Sequence, residues 1–211
     1  MPVDEKPILE IVIRQLARHG FRDITLAVGY LAELIMAVCG EGQRYGVRLT
    51  YSHEETPLGT AGPIALVPDL NETFLVMNGD LLCNLDFSTM LAYHRERAAV
   101  ATLAAFRREV QVDLGVVEAD RDGWLTKYVE KPRFNYSVST GIYLFEPSVL
   151  EFIPRGKKLD LPDLISMLTG SGHKVNVYPF EGYWLDIGRP DDYEKAIEEF
   201  RMNQARFLPD E

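Results

Sequence analysis

The sequence predicts an α/β fold in which a parallel half leads, without a linker, into a mixed α+β half. Three observations predict it. Up to residue 106, short apolar runs alternate with amphipathic stretches, the pattern of βαβ units. From Gly115 onward, short strand-like runs follow one another with fewer helices between them. The 211 residues, 46% of them hydrophobic, suit one α/β domain with a substantial core.

The elements follow in order. Ile8, Val12 and Leu16 make a helical stripe that stops at His19-Gly20, a typical C-terminal signal. Residues 24–28 read as a buried strand, 31–38 as a second helix ending near Gly40, and 47–51 as a second strand. A short helix is expected over 60–67, with Pro63 suited to a first turn. Residues 74–77 form a third strand, 87–97 a helix and 100–106 another strand. Beyond them, 115–118, 124–129, 139–145 and 175–178 read as strands, and 161–168 and 191–201 as helices. Pro190 with two aspartates after it is a strong start for the last helix. Residues 1–206 are expected to form a single domain and 207–211 a loose tail. The chain opens almost directly on a helix, where α/β domains usually open on a strand.

A net charge of −10 argues against nucleic acid as a partner, because backbone phosphates need clustered Lys and Arg. It is compatible with a small anionic substrate, since local cations or a metal overcome a global negative field. The two cysteines, Cys39 and Cys83, form no CxxC pair and read as reduced, buried thiols. No apolar run reaches the length of a membrane span, and the N-terminus has no signal-peptide pattern. A cytoplasmic protein without a membrane partner is the expectation. The four histidines show no metal-ligand spacing, and the acidic residues 191, 192, 194, 198 and 199 read as a solvated helix face.

Five segments carry chemistry. Asn78-Gly79-Asp80 follows a buried strand, where open α/β sheets bind ligands. Asp80 there suits a hard cation, although an ordinary turn has the same composition. Residues 54–62, EETPLGTAG, join a strand to a helix start whose amides can meet phosphate, ribose or a base edge. A plain loop reads the same way. In Glu130-Lys131-Pro132 the charged pair is expected to be extended before the proline. Lys131 could pair with a phosphate and Glu130 with sugar hydroxyls, or both could be exposed edge charges. In Ser139-Thr140-Gly141, a glycine inside a strand marks close backbone approach. Trp184-Leu185-Asp186 supplies a second carboxylate, and two distant carboxylates meeting on one Mg²⁺ suit phosphoryl-type transfer.

Taken together and in order, PVDEKPILE, EETPLGTAGP, MNGDLL, GVVE, VEKP, STGIYLF and WLDIGRPDDYEKA resemble the sugar-phosphate nucleotidyltransferases, from about residue 2 to about residue 200. Mannose-1-phosphate guanylyltransferases and glucose-1-phosphate thymidylyl- or uridylyltransferases belong to that family. The resemblance implies a Rossmann-like, GT-A-like mixed sheet flanked by helices. It implies joining of an NTP to a sugar 1-phosphate with release of pyrophosphate, assisted by Mg²⁺. Carried over by motif, Asp80 and Asp186 are the metal ligands, and Lys131 is counted with them in the catalytic set. Gly115, Glu130, Lys131 and the Thr140-Gly141 backbone hold the sugar phosphate. Glu54, Gly59 and Thr60 line the base and ribose pocket, with Asn78, Gly79 and Trp184 completing the substrate site. A carboxylate at Glu54 matches the adjacent N1–H and N2–H donors of guanine, which favours GTP.

The family pattern also places a strand and a Gly-rich triphosphate loop ahead of the first helix, roughly 25 residues that this chain does not show. The first strand of the sheet is therefore expected to be missing and activity impaired, because such loop donors supply much transition-state stabilisation. A homo-oligomer, with strand exchange or sheet completion by a partner chain, would answer the unpaired edges. The alternative function is a non-catalytic module that binds sugar phosphate or nucleotide sugar, or that assembles.

Overall fold

The computed structural model describes residues 2–209. A short ladder of β1 (Pro2–Val3) and β2 (Lys6–Pro7) opens the chain and runs into helix α1 (Ile8–Arg18). This helix buries Ile8, Ile11, Val12, Ile13, Leu16 and Ala17, and a Glu10–Arg14 pair one turn apart (2.9 Å) supports its outer side. It ends where the sequence predicts. Gly20, at φ +87°, turns the chain so that its N–H and that of Phe21 cap the Ala17 and Leu16 carbonyls.

Strand β3 (Asp23–Val28), helix α2 (Ala32–Cys39) and strand β4 (Arg48–His53) follow, and β3 pairs with β4 in parallel. The expected helix over 60–67 is a 3-10 segment, Gly62–Leu66. Next come β5 (Phe74–Met77), β6 (Leu81–Cys83) and α3 (Phe87–Arg97). Asp86 caps α3, accepting the Ser88 and Thr89 N–H groups at 2.9 and 3.0 Å. Strand β7 (Ala101–Gln111), the β8 (Val116–Ala119) and β9 (Leu125–Val129) hairpin, and β10 (Arg133–Phe145) form the middle of the chain. Helix α4 (Leu161–Gly170), β11 (Val175–Phe180), β12 (Trp184–Asp186), α5 (Pro190–Met202) and α6 (Gln204–Phe207) complete it.

The principal sheet is mixed, in the order β11-β7-β10-β5, with β11 parallel to β7 and the other two pairings antiparallel. The predicted parallel first half is thus reduced to β3–β4. Strand β5, which the alternation assigned to that half, lies instead against β10. Apolar runs reveal that strands exist, while their partners are set by distant residues. Among the described residues β3 pairs only with β4 and β5 only with β10, so each leaves one edge unpaired. Ile24 of β3 and Leu75 and Met77 of β5 pack on one core cluster that includes Val12 and Leu16, so α1 covers both strands.

A second cluster lies around α4, Tyr143 and Phe145. A third joins β6 and β12 to α1, α5 and α6. Residues 207–208, assigned by sequence to a loose tail, belong to this third cluster. Phe207 is 2% exposed, and its ring meets Tyr183 edge-on at 5.5 Å. Residues 210–211 lie outside the described residues.

Candidate functional site

The site grows from the end of β5. Strand β6 pairs antiparallel with β12, placing Asp186 opposite Leu81, and the Ile187 N–H donates to the Asp80 carbonyl at 3.1 Å. Sequence reading missed this two-stranded ladder, because Asn78-Gly79-Asp80 reads as a strand end. The ladder brings Asp80 and Asp186 to adjacent places. Burial holds the Asp186 carboxyl above the ordinary range, and the charges of Asp80 and then Asp192 push the same way. Asp192, read from sequence as part of a solvated acidic face, therefore acts on the site.

Joined to the neighbouring residues Asn78 and Trp184 is an irregularity in β10. Its register with β7 shifts between Ser139 and Tyr143, which oppose Ala105 and Leu103. Thr140 is buried there and its hydroxyl donates to the Ala104 carbonyl at 2.9 Å. Gly141 takes φ +76°, and a Cβ at this position would lie 2.7 Å from Asn78 Nδ2. The Asn78 N–H donates to the Gly141 carbonyl (3.1 Å), and Trp184 Nε1–H donates to that of Thr140 (2.9 Å). Asn78, Gly79, Asp80, Thr140, Gly141, Trp184 and Asp186 are thus neighbours, joined by the Asn78–Gly141 and Ile187–Asp80 backbone bonds and by the Trp184 indole on the Thr140 carbonyl.

The other predicted residues form two separate groups. Gly115, Glu130 and Lys131 lie at the β8–β9 hairpin. Tyr128 donates its hydroxyl to Glu130 Oε2 at 2.8 Å, which raises the Tyr128 pKa. A Cβ on Gly115 would strike that hydroxyl at 2.3 Å. Lys131 is exposed and makes no ion pair with any described residue. The sequence predicts an extended Lys131 before Pro132, but its φ is +45°. The chain passes from β9 into β10 through this left-handed residue, and directly after it the Pro132 carbonyl accepts the Val112 N–H at 3.0 Å, extending the β7–β10 pairing.

Glu54, Gly59 and Thr60 occupy the loop after β4. Glu54 Oε2 accepts the Leu58 N–H at 2.8 Å, while the N–H and hydroxyl of Thr60 are directed at Asp160 and Leu161. Among the described residues, no hydrogen bond or ion pair links either group to the carboxylates. Asp160 escaped sequence reading, its only signal being a capping residue before a helix.

Among the described residues no group of three or more His, Cys, Asp or Glu converges as a metal site. Two mutually repelling carboxylates nevertheless fit a hard cation of the Mg²⁺ type, which commonly takes one or two protein carboxylates and fills its shell with water and phosphate. No helix among the described residues is long and apolar enough to cross a membrane.

A family profile for nucleotidyl transferases matches residues 1–203. A UTP–glucose-1-phosphate uridylyltransferase from Synechocystis sp. is 36% identical over 93% of this chain and 56% of its own length. The mannose-1-phosphate guanylyltransferase catalytic subunit beta of Danio rerio is 33% identical over 89% of this chain and 54% of its own. The chain therefore spans about half the length of these curated relatives. The crystal structure of HddC from Yersinia pseudotuberculosis superposes with a TM-score of 0.73 at 24% identity, covering 95% of this chain and 88% of that one, which establishes a shared fold. By this profile match and these relatives, the chain belongs to the nucleotidyl transferase family, on its sugar-phosphate branch.

Proposed function

We propose that the chain forms the core of a sugar-1-phosphate nucleotidyltransferase, which joins an NTP to a mannose- or glucose-type 1-phosphate. The observation that carries this reading is the adjacency of Asp80 and Asp186 at the end of the β6–β12 ladder, where Asp186 lies opposite Leu81 and the Ile187 N–H meets the Asp80 carbonyl, near the Gly141 irregularity. In the reaction an oxygen of the sugar phosphate attacks the α-phosphorus of the NTP. The bond from that phosphorus to the bridging oxygen breaks, and pyrophosphate leaves.

Asp80 and Asp186 would hold Mg²⁺, which supplies charge neutralisation to the phosphates when bound. Lys131, an exposed cation without an ion-pair partner among the described residues, would meet the sugar phosphate, and Glu130 the sugar hydroxyls. Gly115 leaves open the space beside Glu130 that a side chain would fill. Thr140 and Gly141 would present backbone at close range, with Trp184 fixing the Thr140 carbonyl. Glu54 would read the base. Its Oε2 already takes the Leu58 N–H, yet each carboxylate oxygen has two lone pairs, so guanine N1–H and N2–H still find acceptors.

The test is pyrophosphate release with GTP, UTP, dTTP, CTP and ATP, each with mannose or glucose 1-phosphate. Turnover with GTP ahead of the others supports the reading. Turnover with another base refutes the role of Glu54, and sugar-phosphate binding without turnover would favour the non-catalytic module. The unpaired edges of β3 and β5 support assembly with a second copy by strand addition, or exchange of a strand. Sedimentation as a monomer at all concentrations would refute the assembly. Free, buried Cys39 and Cys83 fit a reducing, cytoplasmic setting.

A further inference from the structure

The loop of residues 54–62 is held chiefly by a segment a hundred residues away. Asp160 Oδ1 accepts the Thr60 N–H at 3.0 Å and faces the Thr60 hydroxyl at 3.5 Å. That hydroxyl in turn accepts the Leu161 N–H at 2.8 Å, so Thr60 caps helix α4 from outside it. The backbone completes the join. The Ala61 and Gly62 N–H groups both donate to the Leu159 carbonyl (2.8 and 3.0 Å), and the Leu159 N–H donates to the Leu58 carbonyl at 2.9 Å. The approach is close enough that a Cβ on Gly59, at φ +76°, would lie 2.6 Å from Asp160 Oδ1. A Cβ on Gly62 would lie 2.8 Å from the Lys157 carbonyl. Both glycines in this loop are therefore explained by contact with the α4 entry.

We propose that Asp160 is a positioning residue that latches this loop to α4 and thereby fixes Glu54 for the nucleotide base. The inference rests on the reading that Glu54 lines the base pocket. The link runs through Leu58, whose N–H donates to Glu54 and whose carbonyl accepts from Leu159. A carboxylate that accepts the Thr60 N–H in a charge-assisted bond holds the loop position more firmly than a neutral cap would.

Two variants test this, in the full chain, by amide hydrogen exchange and steady-state kinetics. Asp160→Ala removes the acceptor, and exchange at Thr60, Ala61 and Gly62 should rise about tenfold, the scale of one lost hydrogen bond. Exchange in β7 and α3 should stay as in wild type. The nucleoside triphosphate KM should rise while the sugar 1-phosphate KM holds. Asp160→Asn keeps an acceptor oxygen for the Thr60 N–H and should restore most of both effects. Unchanged exchange over 60–62 in Asp160→Ala overturns the latch. A loosened loop with an unchanged triphosphate KM overturns the positioning role. Absence of turnover by wild type would sink the proposed reaction instead, and the exchange comparison would still decide the latch.

Discussion

Gly141→Ala is the substitution for which the structure gives the most explicit account. At φ +76° an L-residue pays for its Cβ against the following carbonyl, about 1–2 kcal/mol. The added methyl also meets Asn78, 2.7 Å from Nδ2 and 3.1 Å from Cγ. Asn78 must rotate away, at the low end of overpacking, about 1 kcal/mol. The sum is about 2–3 kcal/mol. For a chain of this size each kcal/mol moves Tm by about 2–4 °C, so a fall of roughly 5–10 °C is expected. Urea unfolding should show the midpoint falling at unchanged slope. The double variant Asn78→Ala, Gly141→Ala separates the two causes: it should recover about 1 kcal/mol of steric strain relative to additivity and none of the backbone share. Gly141→Ala within about 0.5 kcal/mol of wild type, a typical surface-substitution effect, would refute the reasoning.

Asp186→Asn should stabilise the fold at neutral pH by about 0.5 kcal/mol, a small figure because this carboxylate is only partly desolvated and is screened by water. The sign follows from its raised pKa: the folded state keeps a proton that the unfolded state has lost, so stability falls as pH rises from 3.8 through the raised value. The gain, read as a urea midpoint, should vanish below that window and shrink in high salt. Phe207→Ala should destabilise by about 3–5 kcal/mol in the same assay, because the ring is buried between Tyr183 and Phe200. A loss below about 1 kcal/mol, the value for a weakly packed end, would show that residue 207 is indeed loose.

Much of this molecule could be read from local pattern. Helix α3 spans the predicted residues, and α1 stops at its glycine, because capping and periodicity are local properties. The pairing of β5 with β10 and of β6 with β12 was not legible, since each joins segments far apart in sequence. Three-residue strands such as Leu81–Cys83 leave no periodic trace. Residues 107–111 and 133–138 were missed as strand for a related reason. Their solvated outer halves carry Arg107, Arg108, Glu109 and Asn135, whose polarity hides the extended backbone. Of the candidate site, Asp80, Asp186 and Gly141 were named from motifs, and the structure adds the Ile187 N–H to Asp80 carbonyl bond and the Asn78 N–H to Gly141 carbonyl bond. Asp160 and Asp192 became visible only when the loops and α5 were placed in space.

The most direct test of the account is Mn²⁺-induced paramagnetic broadening of backbone amide signals, since Mn²⁺ accepts the same oxygen ligands as Mg²⁺. Amides of residues 78–82 and 185–188 should broaden together at one Mn²⁺ concentration, and either Asp80→Asn or Asp186→Asn should abolish both effects. Broadening of one segment alone, or its persistence in either variant, would contradict a single cation shared by the two aspartates.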